Sequence, residues 1–319
     1  MRRKFIAAFS LGALLMVGTG CTPEPIVAIP SLSNTIGEIP LQVAAAEVPA
    51  GVDTQEGVLV AQLYVAALNA AGATAQVHEG AGTARGAVSE VAAGTVDIAP
   101  VFSRQAMDGS LPGVWTKDSA QVLSALKESL PAGVELLDPV KAQDKTNVVV
   151  TAVTAEKYRL KTMADLAGTC AKVDMGGSAA FRSHPRGLAA LSSDYNCVPR
   201  QFKELTPSVG YSAQSTLWAL LRDDIQLATL HNSSPAIADN ALVVLGDPQD
   251  AFPAQDLVPV VSTARVTDEV QAVVDKVSGA LTEGEMANLN RLAQDRHFGT
   301  MAAAAEAWLV QKGLIETRS

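Results

Sequence analysis

The chain reads as an α/β protein of two lobes that face each other across a cleft. Gly94-Thr-Val-Asp-Ile-Ala-Pro-Val-Phe-Ser103 runs from a helix-ending glycine through a short buried strand, Thr95 to Ile98, that Pro100 breaks. It ends at a rim carrying Phe102 and Ser103. Arg222-Asp-Asp-Ile-Gln-Leu-Ala-Thr-Leu-His-Asn-Ser233 repeats the layout, with Ile225–Thr229 as the strand and His231, Asn232 and Ser233 as the rim. Ligands of open α/β sheets bind beyond the carboxyl ends of the strands, so two such rims predict capture of a small solute between the lobes. With 319 residues, 48% of them hydrophobic, the chain can fill two cores.

The first twenty residues stand apart. Arg2, Arg3 and Lys4 form a positive n-region, Phe5 to Val17 an apolar h-region, and Gly18-Thr-Gly20 a small-residue end before Cys21. This is the pattern of a secretory signal, too short for a spanning helix. The small residues directly before Cys21 resemble a bacterial lipobox, which implies that Cys21 becomes the lipidated first residue. The alternative is ordinary signal cleavage beside an incidental cysteine. Thr22-Pro-Glu-Pro25 then reads as a tether.

Beyond the tether, Leu41–Ala46 is an expected strand and Gly57–Ala71 an amphipathic helix ended by Gly72. Thr74–His78 is a strand. Gly80-Ala-Gly82 turns into a helix over Thr83–Ala93, giving a β-α-β-α-β order and hence parallel pairing. Thr116 or Ser119 is expected to cap a helix to Ser129, followed by strands at Val134–Leu137 and Asn147–Val153. Thr162-Met-Ala-Asp165 is a capping-box pattern opening a short helix ended by Gly168. Strands are expected at Thr169–Val173 and Gln201–Leu205 around a helix at Leu188–Leu191, and Ser212–Leu221 reads as helical. Leu242–Leu245 and Leu257–Val261 lead back to the first lobe, and helices from Thr267, Thr282 and Thr300 complete the chain.

If Cys21 carries lipid, Cys170 and Cys197 remain as an exported pair, and an oxidising compartment favours a disulfide between them. Closing such a loop adds about 3–4 kcal/mol. No histidine stands at metal spacing beside them, so neither a metal nor a cofactor is expected. The formal charge is −9, and removal of Arg2, Arg3 and Lys4 makes the mature chain more acidic. That argues against a nucleic-acid partner, which needs Lys/Arg stripes. No second long apolar run follows the signal, so membrane contact is expected only through lipid at Cys21. The sequence holds no Gly-x-Ser-x-Gly elbow and no His-Glu-x-x-His, and its four histidines are scattered. An enzyme is not expected.

Several segments carry a family resemblance over about Leu41 to Ile315. They are Gly133-Val-Glu-Leu-Leu-Asp-Pro139, Tyr158-Arg-Leu-Lys-Thr-Met-Ala-Asp-Leu-Ala167 and Phe252-Pro253 with Val258-Pro-Val-Val261. The terminal pair is Leu281-Thr-Glu-Gly-Glu-Met-Ala-Asn-Leu-Asn290 and Ala307-Trp-Leu-Val-Gln-Lys-Gly-Leu-Ile315. In this order they resemble the substrate-binding lipoproteins of glycine betaine/choline/carnitine ABC importers. The resemblance implies a type II periplasmic-binding-protein fold, an extracytoplasmic monomer anchored through Cys21, and importer membrane subunits as partners; the alternative is a divergent surface lipoprotein with a different polar ligand or a non-transport interaction or sensory role. The implied organisation is a signal over 1–20, a tether over 21–39, lobe one over 40–145 and 250–319, and lobe two over 146–249. Hinges are expected near Pro139–Asn147 and Leu245–Leu257.

The resemblance also implies a site. In that family a quaternary ammonium sits among aromatic faces, each worth ~0.5–2 kcal/mol, while a positive group or backbone donors hold the carboxylate. Matched motif to motif, the aromatic positions fall on Phe102, near Asn147, and on His231 and Gln255. The arginine position falls near His184, with Arg182 and Arg186 close by. Polar residues therefore stand at most of the cage. Asn147, His231, Asn232, Ser233, Gln255 and Ser103 suit a hydroxylated or amide-bearing ligand at least as well as a bare cation. Tyr211 and Trp115 are candidates to supply aromatic faces from neighbouring loops, the alternative being packing at a loop base. For His231 the alternative is a structural histidine, and for His184 and its arginines a solvated loop.

Overall fold

The structure is a computed structural model describing residues 28–32, 39–78, 83–110, 115–206, 214–295 and 297–316. The expectations for the signal, Cys21 and Tyr211 lie outside those residues. Two mixed sheets organise the rest. The first takes β1 (Leu41–Ala44), β2 (Ala75–His78), β3 (Ile98–Phe102), β4 (Val134–Leu136) and β5 (Gln143–Asp144). The second takes β6 (Thr146–Val150), β7 (Asp174–Gly177), β8 (Gln201–Glu204), β9 (Leu227–His231) and β10 (Val243–Val244). The last strand, β11 (Gln255–Ser262), returns to the first sheet.

The strand order is β2-β1-β3-β11-β4 in the first sheet, with β5 also on β11, and β10-β6-β9-β7-β8 in the second. β1 pairs parallel with β2 and β3, whereas β11 enters antiparallel between β3 and β4. The chain leaves the first sheet at Asp144 and joins the second at Thr146, so a single residue, Lys145, makes the outward crossing. The return crossing lies between Val244 and Gln255.

Each sheet is covered on both faces, the arrangement that βαβ connections produce. Along β3 the side chains alternate: Ile98 and Phe102 join one core, Ala99 and Val101 the other. The first core is built on the Gln55–Ala71 helix and receives the three C-terminal helices, including fully buried Trp308, whose Nε1 donates to Glu285 Oε2 at 2.9 Å. The second sheet carries its own two cores.

Three expectations change. The strand expected over Thr95–Ile98 runs instead over Ile98–Phe102, straight through Pro100. Pro100 lies opposite Pro259, and neither has an N–H to give, so this is a non-hydrogen-bonded position of the ladder. The strand expected at Thr169–Val173 is displaced to Asp174–Gly177, because Cys170–Lys172 turns as a 3-10 segment. Glycines 176 and 177 are strand residues here, not breakers: a Cβ would come within 2.6 Å of Ile225 at Gly176 and within 2.4 Å of Thr229 at Gly177. The helix to Ser129 is capped by Asp118, whose carboxylate accepts from Ala120 and Gln121, rather than by Thr116 or Ser119. Thr162 and Asp165 do form a reciprocal capping box.

Cys170 and Cys197 are joined by a disulfide with a Cα separation of 5.2 Å. The bridge fastens the 3-10 segment to the chain just after the Leu188–Tyr195 helix, inside a core of the second lobe.

Candidate functional site

At the seam of the lobes lies a cavity of about 250 Å³, near the lower end of small-molecule pockets (about 300–1,000 Å³). The first lobe contributes Arg104, Gln105, Met107 and Asp108 from the Ser103–Ser110 helix, Trp115, and the loop at Pro49 and Ala50. The second contributes Thr146, His231, and a run around the Ala179–Ser183 helix that includes Phe181, His184, Arg186 and Gly187. The returning segment adds Phe252, Pro253 and Gln255.

Local chemistry fixes these side chains. Arg104 is a brace: its Nε donates to the Ala254 carbonyl at 2.9 Å, Nη1 to Thr116 at 2.5 Å and Nη2 to Lys117 at 2.8 Å. It thereby holds the Trp115 loop against the return segment. Gly187 lets the Phe181–Arg186 loop close on itself, since a Cβ there would lie 1.9 Å from the Phe181 carbonyl oxygen. The Phe181 ring packs on Phe202 and Phe252, with centroids 6.1 and 5.5 Å away.

Arg186 reaches across the seam. Its guanidinium lies over the Trp115 ring, 4.7 Å from the centroid, while Nη2 donates to Asp194 at 3.2 Å and to the Ala251 carbonyl at 3.0 Å. Its Nε is buried and has no partner. The Arg186 backbone N–H donates to His184 Nδ1 at 3.0 Å, so neutral His184 carries its ring hydrogen on Nε2.

Beneath the cavity is a buried polar network. His231 Nδ1 is 2.7 Å from Asp144 Oδ1, and Asp144 Oδ2 accepts from Gln255 Nε2 at 3.2 Å. Burial alone would lower the His231 pKa, but Asp144, Glu56 and the Ala50 carbonyl outweigh it and hold it above the ordinary value. Glu56, on the Gln55–Ala71 helix, accepts from Asn290 at 2.6 Å, and burial raises its carboxyl to about 7. Partial burial also pushes the Asp108 carboxyl up, against the opposing pull of His184 and Arg104.

The sequence-derived candidates divide on this geometry. His231, Gln255 and His184 wall the cavity, and so do Trp115 and Arg186. Phe102 does not: it is 2% exposed and packs into the first core, because it shares a face of β3 with Ile98. Ser103 is fully buried and its hydroxyl accepts from the Asp256 N–H at 3.1 Å, pinning β11. Asn147 sits inside the second sheet opposite Leu230. Asn232 accepts from the Lys145 N–H and donates to the Gln143 carbonyl, which fastens the crossing rather than lining the cavity. Ser233 lies behind His231, its carbonyl accepting from Asn290. Arg182 turns outward to pair with Glu204.

Sequence reasoning missed Gln105, Asp108, Thr146, Phe181 and Phe252. Phe252-Pro253 was visible as a motif, and its place just before the return strand would have nominated it for the rim.

Comparison with known proteins agrees with this architecture. Residues 48–311 match the family model of the substrate-binding domain of ABC-type glycine betaine transport systems. A crystal structure of a glycine betaine/carnitine/choline ABC transporter protein superposes with a TM-score of 0.70 at 19% identity, covering 86% of this chain and 99% of that one. YehZ from Escherichia coli, without ligand, gives 0.64 at 21% identity, with 86% and 99% covered. Lactococcal OpuAC, closed on glycine betaine, gives 0.53 at 14% identity, with 86% and 96% covered. These structures share the two-lobed fold. With a cavity between two α/β lobes and a family match over most of its length, the chain belongs to the OpuAC family, the substrate-binding domains of ABC-type glycine betaine transport systems.

Proposed function

We propose that this protein is the solute receptor of an ABC importer. It closes its lobes on a small compatible solute, of the class that includes glycine betaine and choline, and delivers it to the importer's membrane subunits. The observation that carries the reading is the cavity itself, walled by both lobes and by the return segment near the crossings. A solute touching both walls stabilises the closed arrangement by its higher affinity for that state, and a hinge at the two crossings lets the lobes part. Lys145 and the 245–254 segment are the hinge in this account. Lipid on Cys21 holds the receptor at the outer surface of the cell membrane, and the receptor works as a monomer.

Thermal unfolding of the mature protein with glycine betaine, choline, carnitine, ectoine or proline tests this reading. A solute that binds only the folded state raises Tm in a concentration-dependent way. Unaltered Tm across the panel at millimolar solute contradicts the proposal.

A further inference from the structure

We propose that the cavity selects, within the compatible solutes, those whose nitrogen still bears hydrogen: an amino-acid-like zwitterion with a primary or secondary ammonium, in preference to a fully methylated one. The inference rests on the solute-receptor reading and concerns the chemistry of the same cavity.

Two of the lining residues carry an acceptor that nothing among the described residues satisfies. Gln105 Oε1 and Gln255 Oε1 are both buried without a hydrogen-bond partner. Their orientation is not arbitrary. Gln255 gives its Nε2 to the Asp144 carboxylate at 3.2 Å, and Gln105 gives its Nε2 to the Val48 carbonyl at 3.3 Å. Both partners only accept, so flipping either amide would set oxygen against oxygen. Asp108 adds a carboxylate to the Gln105 side of the wall, one helical turn away. Two fixed carbonyl oxygens and a carboxylate call for a ligand that donates hydrogen bonds and is positive.

A trimethylated nitrogen meets only half of that demand. It is positive but has no hydrogen to give, and it is held best by open aromatic faces. Among the described residues the wall offers few of these. One face of the Trp115 ring is covered by the chain's own Arg186 guanidinium. Phe181 and Phe252 are 8% and 5% exposed and pack on each other. On the second-lobe wall the Arg186 Nε–H, without a partner among the described residues, suits the carboxylate of a zwitterion. The wall thus offers acceptors at Gln105, Gln255 and Asp108 and a donor at Arg186.

The test is calorimetric titration of the mature protein with a graded series: glycine, N-methylglycine, N,N-dimethylglycine and N,N,N-trimethylglycine, with proline as a cyclic secondary ammonium. The best N–H-bearing member should bind at least about tenfold tighter than the trimethyl compound, because a site built to bond an N–H rejects an analogue lacking it. Dimethylglycine, with one hydrogen, should fall between. Gln105→Leu and Gln255→Leu should each pull the affinity ratio toward one. Trimethylglycine binding as tightly as the others, or a ratio unmoved in both variants, overturns the proposal while leaving the receptor reading intact. Absence of binding by every member overturns the proposal, and the receptor reading falls with it only if choline, carnitine and ectoine also leave Tm unaltered.

Discussion

The Arg186 guanidinium lies over the Trp115 indole, 4.7 Å from its centroid, so the protein's own cation occupies one face of an aromatic ring in the cavity wall. Both residues line the cavity, so the pair joins two parts of its wall. Arg186→Ala removes both the stack and a donor for the solute. Solute affinity is expected to fall about tenfold or more, since the stack alone is worth ~0.5–2 kcal/mol. Arg186→Lys should recover little, because an ammonium neither stacks flat nor spans Asp194 and Ala251 at once. Full affinity in Arg186→Ala would remove the pair from the mechanism.

Gly187 tests whether the cavity wall must be rigid. A Cβ at this position would collide with the Phe181 carbonyl at 1.9 Å, and backbone cannot yield as a side chain can. Gly187→Ala should displace Phe181 and Arg186 together, weakening solute binding and costing roughly 1–3 kcal/mol of stability by strain. Denaturant midpoints and titration measure the two effects separately. A variant that binds and unfolds like the parent would show that the loop has another way to close.

Stability should fall as pH rises from about 4.5 to 7. Burial lifts the Glu56 carboxyl to about 7, so in that window the folded chain keeps a proton that the unfolded chain has released. The full stabilisation is present below the ordinary glutamate value and is gone above 7. His231 acts in the same sense: its raised pKa stabilises the fold below the ordinary histidine value, and that contribution is lost as pH rises through the folded one. Glu56→Gln should flatten the profile and gain roughly 1–3 kcal/mol at pH 8. Urea midpoints from pH 4.5 to 8.5 provide the reading, and superimposable curves for the two proteins would contradict it.

The Cys170–Cys197 bridge closes a loop of 27 residues in sequence separation. Replacing both cysteines by serine should cost about 3 kcal/mol, chiefly by freeing the unfolded chain, and should leave the first lobe's core intact. Non-reducing mass spectra of the mature parent should show no free thiol at either position.

The architecture was legible because long periodic signals wrote it: the amphipathic run at Gln55–Ala71, the β-branched run at Thr146–Val150, and the terminal helices capped by Thr267, Thr282 and Thr300. The site was half legible. His231 and Gln255 sit where strands meet the seam, so strand ends alone could nominate them. Phe102 also sits at a strand end, but strand alternation sends its ring to the core beside Ile98. A shift of the strand start from Thr95 to Ile98 conceals that parity. Gln105 and Asp108 were hidden for another reason. They lie on a short, mostly polar helix, Ser103–Ser110, and only tertiary packing brings it to the seam.

Calorimetric titration of the parent and Phe252→Ala, with the solute that stabilises the parent best, shows whether the seam cavity is the solute site of a closing receptor. Phe252 walls the cavity and packs on Phe181, 5.5 Å away, so its loss should both open and loosen the wall. The account predicts saturable one-to-one binding to the parent, weakened at least about tenfold in the variant. Equal affinity in the two proteins, or no saturable binding to the parent, would contradict it.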